Sequence, residues 1–354
     1  SFHRQSILFR NILNQLQLWC INSNNFKDFL RAKNINIVIL DGFPNLIPAA
    51  SFWIAACKNL EIGSVTIVTN WDHPTVRGYA GIKSKYYYVW GNSMRNELQT
   101  HHDIDPQYIK KVGSLLFDLY SHPDYLKSQD YLNFKSKLPI SDKYVLIITN
   151  SPTFQYNLKI IKFIRNNLEK DIQIIIRLHP SFLHKPYKER IENHIRYNEH
   201  NDNVIYFFPQ LNDSLIPTDM SYEEMQLSSS LVANAQVVIS TMSTMILDGI
   251  ISKKKLINIA FDWEKDDWSI LKLGLLKNRI HLNRILDNKL MYCAQNRTEL
   301  IALIKSFINE ASNSNGKYLN IDHTIKAECG PIDGKGNWRI ISMINKAAKM
   351  VGNA

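Results

Sequence analysis

Three short stretches of this chain place side chains suited to binding phosphate, or to moving a proton, directly behind runs of strand-forming residues. The first is Arg177-Leu178-His179-Pro180, which closes the apolar run 172–176. Pro180 stops the strand, and the two-residue period leaves Arg177 and His179 on one side of it. A guanidinium beside an imidazole at a sheet edge suits a diphosphate, the first by bidentate contact and the second as a single donor. The second stretch lies within 235–262, where Val237-Val238-Ile239 runs into Ser240-Thr241-Met242-Ser243-Thr244 and then into a helical pattern. One or two hydroxyls suffice to cap a helix and this turn has four, so it predicts an anion site at a helix start. Asp248, four residues beyond Thr244 on the same helix face, is placed to accept hydrogen bonds from ribose hydroxyls. The third stretch is Asn70-Trp71-Asp72-His73-Pro74-Thr75, where Asp72 or His73 is a candidate general base towards an acceptor hydroxyl. Asn150-Ser151 is a lesser candidate, at a β–α turn where backbone commonly approaches phosphate. Each also has a plainer reading: Arg177 and Asp248 solvated, His179 and Asp72 tying down local backbone.

The elements that must carry these residues alternate in type. Helical spacing covers 1–34, and strands are predicted at 35–40, 64–69, 86–90 and 108–112, with helices at 47–60 and 92–102. From 115 to 142 the pattern weakens into aromatic and polar text with two prolines, which reads as a connection. The alternation then restarts with strands at 144–149, 172–177 and 204–208, helices at 154–168, 187–197 and 222–234, and the β–α–β unit at 235–262. Helices at 298–311 and 338–350 follow. Strands alternating with helices predict parallel sheets wound on both faces, with ligands at the carboxyl ends of the strands.

Composition narrows the chemistry. With 354 residues, 45% of them hydrophobic, the chain is long enough for two domains with a core each. Its formal charge of +10 suits an acidic ligand, a phosphate-rich membrane surface or nucleic acid, and the last has no recognition motif to support it. Cys20, Cys57, Cys293 and Cys329 form no CxxC pair, which speaks against a zinc site or disulfide framework and for a reducing compartment. No run reaches the roughly 18–20 apolar residues that span a bilayer, so any membrane contact is expected to be peripheral. Neither GxxxxGK[ST], GxSxG nor HExxH occurs, and the missing glycine-rich fingerprint argues against NAD or FAD. Asp103-Ile104-Asp105 sits between a helix and Pro106 and reads as turn chemistry; His101-His102 reads as an exposed helix end. The chain starts at Ser1 without Met, as a processed or truncated chain would.

Taken in order, Thr69–Gly91, Val112-Gly113-Ser114, Phe117-Asp118, Arg177–Pro180, the Ser240–Asp248 turn and helix, and Asp333-Gly334-Lys335 resemble segments of bacterial GT-B fold glycosyltransferases of surface-polysaccharide synthesis, such as capsule or O-antigen. The His-Pro and hydroxyl-turn elements also resemble CDP-glycerol glycerophosphotransferases. The resemblance covers most of 35–350 and implies an α/β, GT-B architecture: two Rossmann-like, doubly wound parallel-sheet domains facing a cleft. Residues 1–114 would form the acceptor-side domain, short at its start; 115–142 the connection; 143–335 the nucleotide-donor domain; and 336–354 a helix packing back towards the N-terminal domain. It further implies that Asn150, Ser151, Arg177, His179, Ser240, Thr241, Ser243, Thr244 and Asp248 bind the donor, with the loop from Pro209-Gln210 over the base, and that Asp72 or His73 is catalytic. No metal and no cofactor are expected. The expected partners are a nucleotide-sugar donor, a glycan or lipid-linked acceptor and an anionic membrane surface, in the cytoplasm or on the inner face of its membrane. Alditol-phosphate transfer from a CDP-alditol, sugar-nucleotide epimerisation and a non-catalytic binding module are the rival readings.

Overall fold

The computed structural model describes the chain except residues 1–6, 48, 77, 123–125, 127–129, 131, 134–138, 152–155, 199–202, 214–219, 241–242, 267–278, 311–320 and 353–354. It divides into two compact units: Ser1–Ser121 with Asn278–His281 and Asp322–Ala354, and His122–Lys277 with Leu282–Ile321.

In the first unit, α1 (Ile7–Cys20) and α2 (Asn24–Ala32) precede β1 (Ile37–Asp41), α3 (Ala50–Asn59), β2 (Gly63–Ile67), the single turn α4 (His73–Val76), β3 (Tyr86–Val89), α5 (Asn92–His102) and β4 (Ile109–Lys111). The strands form one parallel sheet in the order β1-β2-β3-β4. Leu40, Ala50, Ile54 and Ile82 form a core on one side of it, joined by Leu30, Ala56 and Cys57 under α2. In the second unit, β5 (Tyr144–Ile148), α6 (Asn157–Asn167), β6 (Gln173–Arg177), α7 (Tyr187–Asn198), β7 (Val204–Phe207), α8 (Tyr222–Asn234), β8 (Val237–Ser240), α9 (Ile246–Ile251), β9 (Lys255–Ile259), α10 (Ile280–Asp287, whose first two residues, Ile280 and His281, belong to the first unit), β10 (Tyr292–Ala294) and α11 (Arg297–Asn309) follow. Its six strands are also parallel, in the order β10-β9-β8-β5-β6-β7. Strand sequences such as YVLII and VVIS are buried at every position, as expected for a sheet covered on both faces.

The chain ends with α12 (Ile321–Glu328) and α13 (Gly336–Gly352), which build the first unit rather than the second. Ile340 and Ala347 of α13 cover Val65, Tyr88 and Val112 on the first sheet. The Asp118 carboxylate accepts hydrogen bonds from the Gly334 and Gly336 backbones at 3.2 and 2.7 Å, capping the start of α13. Arg339 donates to Val112 O at 2.7 Å and grips both Asp333 oxygens at 2.8 Å, which holds the Asp333 carboxyl below its usual range. Backbone meets backbone between these clamps. A Cβ on Gly91 would lie 2.2 Å from Ala327 O, and one on Gly330, at φ +79°, would lie 2.2 Å from Trp90 O.

Two boundaries differ from those read in sequence. Residues 322–335 fall in the first unit, because the Cys329 carbonyl accepts from Ser114 N, just past β4, at 3.0 Å and the segment abuts Trp90 and Gly91 at the end of β3. The stretch 115–142 is no loose connection where it is described. Leu115–Ser121 is a 3-10 helix with Phe117 buried, and Leu126 and Leu132 are buried in the second unit, where Leu126 O accepts from Ser230 Oγ and Asn234 Nδ2. Apolar side chains within polar text were enough to dock it. Helices α10 and α12 and strand β10 were not expected, since their apolar periodicity is short. Replacement of Gly91 by Ala is expected to lower unfolding free energy by about 1–3 kcal/mol through overpacking against backbone, read as a fall in the urea midpoint.

Candidate functional site

In the second sheet β5 lies between β6 and β8, and the strand order reverses there, with β6 and β7 on one side and β8, β9 and β10 on the other. The carboxyl ends of these three neighbours carry every described donor-side residue singled out above except Asp248, which lies in α9. Thr241 lies outside the described residues. Open parallel sheets bind ligands at such a reversal, because the loops on either side of it diverge and leave a crevice.

The loops are tied to one another from beneath. Thr149 Oγ1 accepts from His179 N at 2.9 Å, joining the exits of β5 and β6. Asn157, the first residue of α6, accepts from Asn150 N at 3.1 Å and donates to Asn150 O and Ser151 O at 3.2 and 3.1 Å. A side-chain amide thus fixes the 149–151 turn that a glycine-rich loop shapes in dinucleotide folds. His179 Nδ1 accepts from Ser181 N at 3.1 Å, so Nε2 carries the proton and is the outward donor. Burial, reinforced by the Arg177 charge, holds His179 below the usual imidazole value and keeps it neutral. Ser240 Oγ is buried at the end of β8 and has no hydrogen-bond partner among the described residues. It borders a small cavity shared with Thr149 and Asn157. Ser243 Oγ accepts from Met245 N at 3.3 Å, while Thr244 and Asp248 are half-buried along the turn and α9.

Arg177 is placed differently from its neighbours. Its side chain is 4% exposed and points into the unit, 2.6 Å from Glu224 Oε1 and 2.7 Å from Ser228 Oγ. Its guanidinium thus answers a buried carboxylate through Nη2, while Nη1 has no hydrogen-bond partner among the described residues. Burial pushes the Glu224 carboxyl up and Arg177 opposes that rise, helped by hydrogen bonds from the Gln210 backbone and Ser228. The loop after β7, expected over a nucleobase, is thus anchored at Gln210 to the same pair. Glu224 was missed because Ser221-x-x-Glu224 reads as a capping box; Ser221 Oγ does accept from Glu224 N at 3.1 Å, but the carboxylate turns inward.

The expected catalytic pair sits in the first unit. Asp72 O accepts from Thr75 N and Val76 N at 3.1 and 3.0 Å, which winds α4, and Asp72 Oδ1 is buried without a hydrogen-bond partner among the described residues. The half-buried His73 follows it at the start of α4. Trp71 anchors the loop: Nε1 donates to Glu328 Oε2 at 2.8 Å, and Ser93 Oγ donates to Glu328 Oε1 at 2.7 Å. The His281 ring packs edge-on against Trp71, and its Nδ1 lies 2.9 Å from Thr75 Oγ1. His102, read in sequence as exposed, is buried. It accepts from Ala80 N at Nδ1 and donates from Nε2 to Pro74 O at 2.7 Å, holding α4 from below. Glu328 and His281 lie 257 and 206 positions from their partners, a pairing that no local motif signals. Asp103 and Asp105 do serve turns, Asp103 as the left-handed cap of α5 and Asp105 by accepting from Gln107 N. No group of His, Cys, Asp and Glu suited to a metal occurs among the described residues.

Replacing Arg177 by Ala strands the Glu224 carboxylate, so a loss of about 3–5 kcal/mol of stability is expected, recovered in part by adding Glu224→Gln. Chemical denaturation of the single and double variants checks this. The His179 imidazole is expected to titrate below 6.5 in the free protein and to shift upward when a phosphate ligand accepts from Nε2. Nitrogen-15 NMR of the ring reads both the value and the tautomer.

No protein-family model and no curated protein sequence matches this chain. Solved structures do. The UDP-GlcNAc 2-epimerase of Methanocaldococcus jannaschii in complex with UDP-GlcNAc and UDP aligns over 92% of this chain and 79% of its own, with a TM-score of 0.56 and 16% identity. The UDP-GlcNAc 2-epimerase from Neisseria meningitidis bound to UDP-GlcNAc aligns over 92% and 80%, with a TM-score of 0.55 and 13% identity. The wall teichoic acid polymerase TagF, soaked with CDPG, aligns over 89% and 73%, with a TM-score of 0.55 and 16% identity. At such identities the likeness speaks for the fold: two Rossmann-like α/β domains of the GT-B class.

Proposed function

We propose that the chain is a metal-independent glycosyltransferase of bacterial surface-polysaccharide synthesis. On this reading the second unit holds the nucleoside diphosphate of a nucleotide-sugar donor, and the first supplies the base that activates the acceptor hydroxyl. The observation that carries it is the convergence of Asn150, Ser151, His179, Ser240, Ser243 and Thr244 on three adjacent strand ends where the strand order reverses. These groups are hydroxyls, amides and a neutral imidazole with its Nε2 proton outward, a donor set matched to phosphate oxygens. Fold likeness to an epimerase that binds UDP-GlcNAc supports a nucleotide-sugar ligand in the same kind of unit.

The step is a substitution at the anomeric carbon. The acceptor oxygen forms the new bond as the bond to the donor phosphate oxygen breaks, and that electron pair leaves with the nucleotide. Asp72 or His73 takes the acceptor proton. Hydrogen bonds from the strand-end loops meet the charge growing on the leaving phosphate, and Asp248 is assigned the ribose hydroxyls. Arg177 contributes its field from beneath, shared with Glu224, rather than a direct contact. The acceptor is a glycan or a lipid-linked glycan at the inner face of the cytoplasmic membrane, where the +10 charge favours peripheral contact with anionic lipid. Among the described residues no helix is long and apolar enough to cross a membrane.

Alditol-phosphate transfer from a CDP-alditol is the second reading, favoured by the likeness to TagF. A thermal-shift panel over UDP-, GDP-, CMP-, CDP- and TDP-linked donors separates the two. A raised melting temperature with a nucleotide sugar, followed by transfer to acceptor, is the expected result. Stabilisation by CDP-alditols alone selects the second reading, and no shift with any donor leaves a non-catalytic module. Asp72→Asn or His73→Asn is expected to slow transfer by roughly 10²–10⁴-fold, for whichever is the base, while sparing the donor shift.

A further inference from the structure

Helix α4 is a single turn of four residues, too short to hold its shape alone, yet it begins at one candidate base and directly follows the other. Side chains from three distant elements of the first unit grip the residues around it. Trp71 Nε1 donates to Glu328 of α12, Pro74 O accepts from His102 of α5, and Thr75 Oγ1 lies 2.9 Å from Nδ1 of His281 in α10. Residues 71, 74 and 75 are therefore fixed from outside the turn, and the pair between them, Asp72 and His73, carries the candidate chemistry.

The three grips are unequal. Glu328 and His102 hold flanking residues, whereas His281 holds one that is bonded to Asp72 itself. Thr75 N donates to Asp72 O at 3.1 Å, and Thr75 Oγ1 donates to the same carbonyl at 3.2 Å. A threonine hydroxyl has one proton; with that proton given to Asp72 O, the oxygen accepts from His281, so Nδ1 is the ring nitrogen that carries hydrogen. Two hydrogen bonds in series thus run from the imidazole to the Asp72 peptide, each strengthening the other.

His281 is a firm anchor for that series. It is 3% exposed, its ring packs edge-on against the buried Trp71 with centroids 4.6 Å apart, and Leu282 and Ile285, which follow it in α10, are buried too. A leucine or phenylalanine would fill the space beside Trp71 without burying a polar ring, and would leave the Thr75 hydroxyl without this donor. The imidazole therefore does something that packing alone does not require. A shift of about 1 Å in a catalytic group costs on the order of 10²-fold in rate, so a contact that fixes the Asp72 peptide bears directly on proton transfer.

We propose that His281 is a positioning residue for the base: acting through Thr75, it sets where the Asp72 peptide, and with it the Asp72 and His73 side chains, stand when a hydroxyl is deprotonated. This rests on the transferase reading and adds to it a residue more than 200 positions from the turn it serves. The test measures nucleotide release from UDP-, GDP-, CMP-, CDP- and TDP-linked donors with water as acceptor. Wild type is compared with His281→Ala, His281→Asn, Thr75→Val and the Thr75→Val/His281→Ala double variant, with rates taken per folded protein. His281→Ala and Thr75→Val are each expected to lower kcat about tenfold or more, while the KM for donor and the donor-induced melting shift stay as in wild type. The double variant is expected to be no slower than either single one, because both remove the same link. His281→Asn, whose amide offers a donor near the Nδ1 position, is expected to restore most of the rate. If His281→Ala does not fold, Thr75→Val, which removes only the hydroxyl, and His281→Asn carry the test. Wild-type kcat in Thr75→Val, or losses that add in the double variant, overturn the positioning role. A raised donor KM at unchanged kcat overturns it as well, since it assigns the contact to donor binding. No release by wild type from any donor overturns the transferase reading and this role together, whereas release that wild type and the variants share overturns this role alone.

Discussion

The first unit is organised by a contact with no room for a side chain. Where the end of β3 meets the last turn of α12 and the segment after it, carbonyls stand where a Cβ at Gly91 or Gly330 would go. Because that approach holds α12 in place, Glu328 comes to lie behind Trp71, and the loop bearing Asp72 and His73 acquires a rigid base. Ser93 takes the other oxygen of the same carboxyl group, which holds Glu328 and fixes the indole in orientation. His102 and His281 complete the support from below and beside. The side chains with candidate chemistry are few; the groups that aim them are more numerous and come from distant parts of the chain.

The second unit solves a different electrostatic problem. Arg177 ends a strand whose every position is buried, so its charge must be answered inside, and Glu224 answers it. Two consequences reach the strand ends. The loop after β7 is tethered through Gln210, and His179, beside a cation and partly withdrawn from water, is kept neutral as a hydrogen-bond donor. Polar side chains also do here what glycines do in dinucleotide folds. Asn157 shapes the turn after β5 and Thr149 joins it to the next strand end, so the backbone is ordered without a glycine-rich loop.

Much of the architecture was legible in the sequence, because hydrophobic periodicity is a local quantity. The alternation of VVIS-like runs with helical patterns announced parallel sheets; α5 and α8 begin and end where the text changes, and the Arg177–Pro180 and Ser240–Asp248 stretches fall at strand ends as their proline and hydroxyls require. What the sequence by itself determined was therefore the kind of fold and the set of side chains presented at the carboxyl edges of its strands.

Only the tertiary structure decided which of those side chains are available. Arg177 and His179 look alike in sequence, two positions apart on one side of a strand, yet one is neutralised by Glu224 and the other keeps a free face. His102 looked exposed and is buried, and residues 322–335 followed the first sheet because their backbone fits against Trp90 and Gly91. The physical reason is common to all three. Burial and ion pairing depend on partners many residues away, such as Glu224, Glu328 and His281, and no local pattern records which partner the fold will bring.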